Sequence, residues 1–97
     1  MKRVLAALVL STLLGASDGY VPEKGFVPDA ETAKRIAEAV FRPVYGSSIE
    51  GEKPLKATLS GDVWTVSGTL PANYIGGVAV VKIFRRDGRV LYMMHGK

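Results

Sequence analysis

The fold is decided by residues 55–68, LKATLSGDVWTVSG. Apolar and polar residues alternate from Leu55 to Leu59, which is typical of a β-strand with one solvated face. Gly61 and Asp62 follow, and a glycine at the first central position of a two-residue turn favours type II′. The strand after the turn carries Trp64, the single tryptophan of the chain. The stretch therefore predicts a β-hairpin, and we expect the indole of Trp64 to lie in the core.

An amphipathic helix is predicted before this hairpin, over residues 30–44. Asp29 suits its N-cap, because the carboxylate can accept a free backbone N–H and matches the positive end of the helix dipole. A proline in the last turn and a glycine just beyond it end the helix near Tyr45. Residues 47–54 are polar and contain a glycine and a proline, which predicts a loop. The apolar stripe of the helix has members at intervals of three and four: Ala33, Ile36, Ala37, Val40, Phe41 and Val44.

A second hairpin is predicted after a long loop, with strands at residues 78–84 and 90–94 and a type I′ turn at Asp87 and Gly88. The predicted fold is α+β, with one N-terminal helix packed on a four-stranded antiparallel meander. Both late strands are apolar on both faces, whereas the helix can cover only one face, and exposed apolar surface of that extent marks a partner site or a dimer interface. We expect the uncovered face to show some of Val78, Val80, Phe84, Leu91 and Met93. The expected core residues are Ile36, Val40, Phe41, Trp64, Val66 and Ile83.

The first residues have the order of a secretory signal peptide. Lys2 and Arg3 precede an apolar run at residues 4–14, and small residues follow up to Ser17. The run is shorter than the roughly 20 residues that span a bilayer, so cleavage after Ala16 or Ser17 is expected, with a membrane anchor or a core helix as the alternatives. The prediction is a periplasmic or secreted protein without membrane association after cleavage. It divides the chain into a signal peptide (1–16), a flexible lead-in (17–28) and one domain (29–97), and the alternative for the lead-in is that Tyr20 or Phe26 fixes it by packing on the domain.

Composition argues against several classes of function. Without the two basic residues of the signal, the net charge is +2, two less than the +4 of the whole sequence, which gives little attraction for nucleic acid. The chain has no cysteine, so disulfides and thiolate chemistry are excluded. Its one histidine, His95, lies near the terminus, where fraying is common, and cannot form a Cys–His pair or a multi-histidine metal site. No nucleotide-binding or metalloprotease motif occurs. We therefore predict no catalytic residue, metal or cofactor.

Residues 28–97 resemble a family of small bacterial immunity proteins with a nuclear transport factor 2-like (NTF2-like), cystatin-related fold. The order of the pieces carries the resemblance: a helix ending in Tyr-Gly, a Gly-Asp turn leading into tryptophan, a double glycine and a final His-Gly-Lys. The matching pieces are PDAETAKRIAEAVFRPVYG (28–46), KPLKA (53–57), GDVWTVSGTLP (61–71), GGVAVVKI (76–83) and DGRVLYMMHGK (87–97).

The resemblance implies an antidote that binds a cognate toxin and blocks its active site. Combined with the predicted export, it suggests a toxin that acts in the periplasm, such as a cell-wall hydrolase. Two alternatives stay open: a cystatin-like peptidase inhibitor, and a small ligand-binding module that forms a homodimer through the open sheet face.

Candidate contact residues lie on the long loop and on the second hairpin. Aromatic residues and arginines are enriched among interface hot spots, which favours such side chains at exposed positions. The alternative for the three arginines is a solvated hairpin tip. The predicted partner-binding residues are Tyr74, Ile75, Arg85, Arg86, Arg89 and Tyr92.

Overall fold

A computed structural model describes residues 19–97, and the predicted signal peptide and the start of the lead-in lie outside the described residues. The strands form one antiparallel sheet in the order β1-β2-β3-β4, and the helix packs mainly on β1, β2 and β3. This arrangement confirms the predicted α+β fold. Within residues 19–97, no helix has the length and apolar character needed to cross a membrane. The elements are α1 (Ala30–Tyr45), a 3₁₀ segment (Gly46–Glu52), β1 (Lys56–Ser60), β2 (Val63–Ser67), β3 (Ala79–Phe84) and β4 (Val90–His95).

Helix α1 begins and ends as the sequence predicts. The carboxylate of Asp29 accepts the backbone N–H of Thr32 at 2.8 Å, and this contact lowers the pKa of Asp29. At the other end, Gly46 adopts a φ of 68° and donates its N–H to the carbonyl of Arg42. A left-handed φ is favourable for glycine, which explains why the helix stops there.

The core lies between α1 and the sheet, and Trp64 is part of it. Its indole N–H donates to the carbonyl of Val27 at 2.7 Å, so the polar atom of the ring is satisfied where it is buried. The predicted core is confirmed for Phe41, Trp64, Val66 and Ile83, which are buried, whereas Ile36 and Val40 are partly buried and pack against these residues.

The end of the lead-in, predicted to be flexible, is fixed to the domain. Val27 is completely buried, and its N–H donates to the carbonyl of Arg85 at 3.0 Å. Phe26 pairs in the same way with Arg86, also at 3.0 Å. Gly25 approaches the same backbone so closely that a Cβ there would lie 2.6 Å from the carbonyl oxygen of Arg85. These contacts bring residues 25–27 alongside the turn between β3 and β4.

The two hairpin turns differ from each other. Gly61 has a φ of 60° and Asp62 does not have a positive φ, which fits the predicted type II′ turn. The predicted type I′ turn at Asp87 and Gly88 is wrong, because Asp87 has no positive φ and the connection spans residues 85–89. The N–H of Gly88 donates to the carbonyl of Phe84 at 2.8 Å and closes this wider turn.

Two further expectations are corrected. The predicted loop at residues 47–54 begins as a 3₁₀ helix, because Ile49 is its one large apolar residue and its complete burial holds the segment on the core. Met93 does not lie on the open face: it pairs in register with Val81 and packs against the core. The residue before it, Tyr92, and the one after it, Met94, take the open side instead.

Candidate functional site

The sheet face turned away from α1 is uncovered in the described part of the chain. Because Trp64 and Val66 of β2 are buried in the core, their neighbours along the strand point to the other side. The strand register extends this face across the sheet and places Tyr92 opposite Lys82, and Met94 opposite Val80. We define the open face as Lys56, Thr58, Ser60, Val63, Thr65, Ser67, Val80, Lys82, Phe84, Tyr92 and Met94.

Aromatic and apolar side chains are exposed on the β3–β4 half of the open face. Tyr92 is 51% exposed and Met94 is 39% exposed, although both lie in a regular strand. Phe84 at the end of β3 is half-buried, and the guanidinium carbon of Arg89 lies 4.8 Å from the centre of its ring. This distance is within the range of a cation–π interaction and holds Arg89 above the open face.

Charge is distributed unevenly between the two sides of the sheet. On the helical side, Arg42 pairs with Glu38 at 2.6 Å and Lys53 with the same carboxylate at 3.1 Å, and the bond from Arg42 lowers the pKa of Glu38. Lys56, Lys82 and Arg86 form no ion pair within residues 19–97. The open face and the adjoining turn therefore carry uncompensated positive charge.

The predicted contact residues do not form one compact patch. Tyr74 and Ile75 lie in the loop before β3 and are 67% and 100% exposed, whereas the three arginines lie at the turn after β3. Six residues of extended strand separate these two groups by roughly 20 Å. Tyr92, on β4, lies on the open face between them. These six assignments stay predictions.

Arg85 differs from the other two arginines because most of its side chain is engaged within the domain. Its Nε and Nη2 donate to a carboxylate oxygen of Asp62 at 3.1 and 2.6 Å, and Nη1 donates to the carbonyl of Lys24 at 2.5 Å. Only 19% of the side chain is exposed. Arg85 thus ties the lead-in to both turns at this end of the sheet, while Arg86 and Arg89 stay exposed.

A Glu–His cluster closes the opposite end of the sheet, and the sequence did not reveal it. Glu52 accepts the N–H of Ala79 at 2.7 Å through one oxygen and pairs with Nε2 of His95 at 2.7 Å through the other. The carbonyl of Gly96 lies 2.7 Å from Nδ1 of His95, and this contact, followed by that with Glu52, raises the pKa of the imidazole. The ring of Tyr45 packs against the imidazole at a centroid distance of 5.1 Å.

This cluster has the contacts of a structural clamp. Both nitrogens of His95 have partners, and Glu52, of which 14% is exposed, bonds a strand backbone at the same time. His95 is therefore held within β4, which corrects the expectation of a frayed position. Over residues 19–97, no group of three or more acidic, histidine or cysteine side chains is close enough to hold a metal ion.

A shallow groove lies between α1 and the chain entering β1. Its volume is about 180 Å³, below the roughly 300 Å³ at which small-molecule pockets begin. Charged side chains that already pair with each other line most of it, such as Lys34 with Glu31 at 2.7 Å. The groove is bordered by Glu31, Lys34, Arg35, Glu38, Lys53, Pro54 and Leu55.

Comparison with known proteins gives a family and two relatives. The model of a family described as NTF2 fold immunity protein matches residues 32–97. An uncharacterized protein of Escherichia coli K12, YhhH, is 35% identical over 83 residues, which cover 84% of this chain and 65% of YhhH. A second uncharacterized protein of the same strain, YbbC, is 38% identical over 76 residues, which cover 76% of this chain and 62% of YbbC. The chain thus spans less than two thirds of either relative, and no solved structure matches it.

Proposed function

The chain belongs to the NTF2-fold immunity protein family, since the family model covers more than two thirds of its residues, and we propose that it binds a cognate bacterial toxin and neutralises it by covering the toxin's active site. Such a mechanism requires a preformed surface and no chemistry from the antidote itself. The toxin is the predicted partner, and no cofactor takes part in the proposal.

The observation that carries this proposal is the open face. It presents Tyr92, Met94 and Phe84 on a sheet whose other side is fixed to the core, and Arg89 is held above one of these rings. Tyrosine, methionine, phenylalanine and arginine are enriched at protein interfaces. A rigid sheet also loses little conformational entropy on binding, which favours affinity. These features suit a surface that docks against a folded partner.

The groove beside α1 is a poor site for a small ligand, which also favours protein binding as the function. It is shallow, and four of its five charged lining residues are paired with each other, Lys34 with Glu31 and Lys53 with Glu38, so a ligand would have to compete with these ion pairs. The open face offers exposed aromatic and apolar area without such competition. Protein binding is therefore the function that these surfaces favour.

The proposed location follows from the predicted signal peptide. Basic, apolar and small residues occur in the order that secretory signals share, so we propose that the chain meets its toxin in the periplasm. An enzyme that cuts the cell wall is the kind of toxin that acts there. Fractionation of cells that express the full chain with a C-terminal tag tests this location, and recovery of the tagged protein in the cytoplasm alone would rule it out.

The function itself is tested with a candidate toxin, which is sought among the genes next to the gene of this chain. The toxin is directed to the periplasm of a sensitive bacterium, with and without the full-length chain in the same cell. We expect growth arrest without the chain and restored growth with it, together with a one-to-one complex of the purified proteins. Unchanged killing, with both proteins present in one compartment, would refute the immunity function against that toxin.

A further inference from the structure

We propose that the open face recognises an acidic surface of the partner, with carboxylates placed around an aromatic or apolar contact. This inference rests on the proposed function and specifies the chemistry of its binding surface. It concerns mainly the β3–β4 half of the sheet, where Lys82 and Arg89 lie next to exposed apolar side chains, together with Lys56 on β1.

The cations form a diagonal across the open face. Lys56 lies on β1 opposite Ser67, and Lys82 lies two strands away in the next row of the register, between Thr65 and Tyr92. Arg89 follows at the end of β3, above Phe84. With strands 4.8 Å apart and about 7 Å between alternate residues, the diagonal spans roughly 15 Å. That length matches one contact patch on a folded partner.

The acidic side chains of the domain do not neutralise this diagonal. The carboxylates Glu31, Glu38 and Glu50 pair with cations of the helical side, and Asp62 pairs with Arg85. Among residues 19–97, the one carboxylate paired with a cation of the diagonal is Asp87, whose oxygen lies 3.6 Å from Arg89, at the limit of an ion pair. Positive charge on the open face is therefore available to a partner, whereas most of the positive charge on the helical side is already paired with carboxylates.

Arg89 is positioned to bind a carboxylate with little loss of freedom. Its guanidinium lies over the ring of Phe84, so its planar set of donors is already oriented when a partner arrives. Arginine binds carboxylates through two parallel hydrogen bonds, which a lysine cannot reproduce. Tyr92 and Met94 are exposed on the same face and supply the apolar contact beside it.

The same charges disfavour a second copy of the chain as the occupant. A face-to-face homodimer would bring together two faces that each carry positive charge, and like charges brought close to each other are unfavourable. An acidic partner gains from each of these contacts instead. We therefore assign the open face to a different protein.

Two synthetic peptides test the charge preference without knowledge of the toxin. The full-length ¹⁵N-labelled chain is titrated at low salt with Glu-Glu-Tyr-Glu-Glu, and in parallel with Lys-Lys-Tyr-Lys-Lys. We expect the acidic peptide to shift amide resonances of β3 and β4, and these shifts to fade as salt screens the charges. The basic peptide should leave the same resonances in place. Shifts confined to α1, or equal shifts from both peptides, would overturn the inference.

A pair of charge-reversal variants tests where on the domain the acidic peptide binds. Lys82→Glu changes the diagonal, whereas Arg35→Glu makes the same change of charge at an exposed arginine of α1 that forms no ion pair in the described structure. We expect Lys82→Glu to weaken acidic-peptide binding by roughly tenfold and Arg35→Glu by less than about twofold. An equal effect of both variants would mean that net charge, and not the open face, decides binding.

The same variants separate this inference from the proposed function. If the Lys82→Glu variant protects cells from the candidate toxin as well as the wild type does, the proposed acidic contact is refuted, whereas the immunity function is supported. If the wild-type chain binds the acidic peptide on β3 and β4 but does not protect against the candidate toxin, the immunity function against that toxin is refuted, whereas the acidic preference of the open face is supported.

Discussion

Replacing Glu52 by alanine should destabilise the domain by roughly 2–3 kcal/mol. One carboxylate oxygen accepts the N–H of Ala79 at 2.7 Å, and a buried N–H left without its acceptor costs about 1–3 kcal/mol. The other oxygen pairs with His95, which is partly exposed, so this pair adds only about 0.2–1 kcal/mol. Because a domain of this size has a stability of roughly 4–12 kcal/mol, the loss is a large fraction of the total.

The control for this prediction is Glu52→Gln. The amide oxygen can still accept the N–H of Ala79, whereas the charge that faces His95 is removed, so we expect a loss below about 1 kcal/mol. Urea unfolding followed by the fluorescence of Trp64, the single tryptophan, measures both variants. The midpoint should fall for the alanine variant at constant m-value. On heating, its melting temperature should drop by roughly 10–20 °C.

Two results would refute this reasoning. An equal loss for the alanine and glutamine variants would show that charge, and not the hydrogen bond to Ala79, is what the clamp provides. A loss below about 0.5 kcal/mol for the alanine variant would show that the clamp contributes little to folding. The backbone carbonyl of Glu52 also accepts the N–H of Thr69 at 2.7 Å, and because this bond does not involve the side chain, both variants should retain it.

Three other predictions each concern a single residue: Gly77, His95 and Ile75. Gly77→Ala should cost about 3 kcal/mol in urea unfolding because its Cβ would collide with the backbone of Gly96, whereas Gly51→Ala, with open space around it, should not destabilise the domain. Since the pKa of His95 is raised in the folded state, its stabilising contribution is complete below about pH 6.5 and disappears as the pH rises through the folded pKa. The melting temperature should therefore fall by a few degrees between pH 6 and 9. This fall should be absent in the His95→Gln variant. Ile75→Ser should leave the melting temperature unchanged, since Ile75 is fully exposed, and should weaken toxin binding at least fivefold; an unchanged affinity would remove this loop from the interface.

The helix and the first hairpin could be predicted because their signals are local. A cap such as Asp29 acts within three residues, and the turn at Gly61 depends on the φ of one glycine. The apolar stripe of α1 up to Phe41 and the alternation from Leu55 to Ala57 each match one side of a two-layer packing, whereas Val44 and Leu59 are exposed. Sequence periodicity reports this kind of structure reliably, since each element needs only to separate an apolar from a polar side.

The contacts that fix the lead-in could not be predicted because they join distant residues. The indole of Trp64 meets the carbonyl of Val27, which lies 37 positions earlier, and Arg85 reaches the carbonyl of Lys24 over 61 positions. Backbone carbonyls carry no sequence signal of their own. The same limit applies to the clamp, in which Glu52 and His95 are 43 positions apart.

The orientation of β4 could not be predicted because its sequence does not alternate. Residues 90–94 are apolar on both faces, so periodicity assigns neither face to the core, and Met93, one of the five residues considered for the open face, packs against the core instead. The register of β3 and β4 contains an irregularity that leaves Leu91 without a direct partner. A one-residue irregularity of this kind reverses the alternation, which only the paired strands can reveal.

The same property of β4, apolar side chains on both of its faces, explains why its orientation could not be predicted and why the open face is a candidate binding site. Strand β4 is apolar on both sides, but α1 packs mainly on β1, β2 and β3, so most of the apolar side chains of β4 stay exposed. Exposed Tyr92 and Met94 are unfavourable for an isolated domain, so a protein that keeps them gains from a partner that buries them. The neighbouring cations Lys82 and Arg89 keep such a surface soluble until the partner arrives. The features that made β4 hard to predict are therefore those that make the open face suitable for binding an acidic protein.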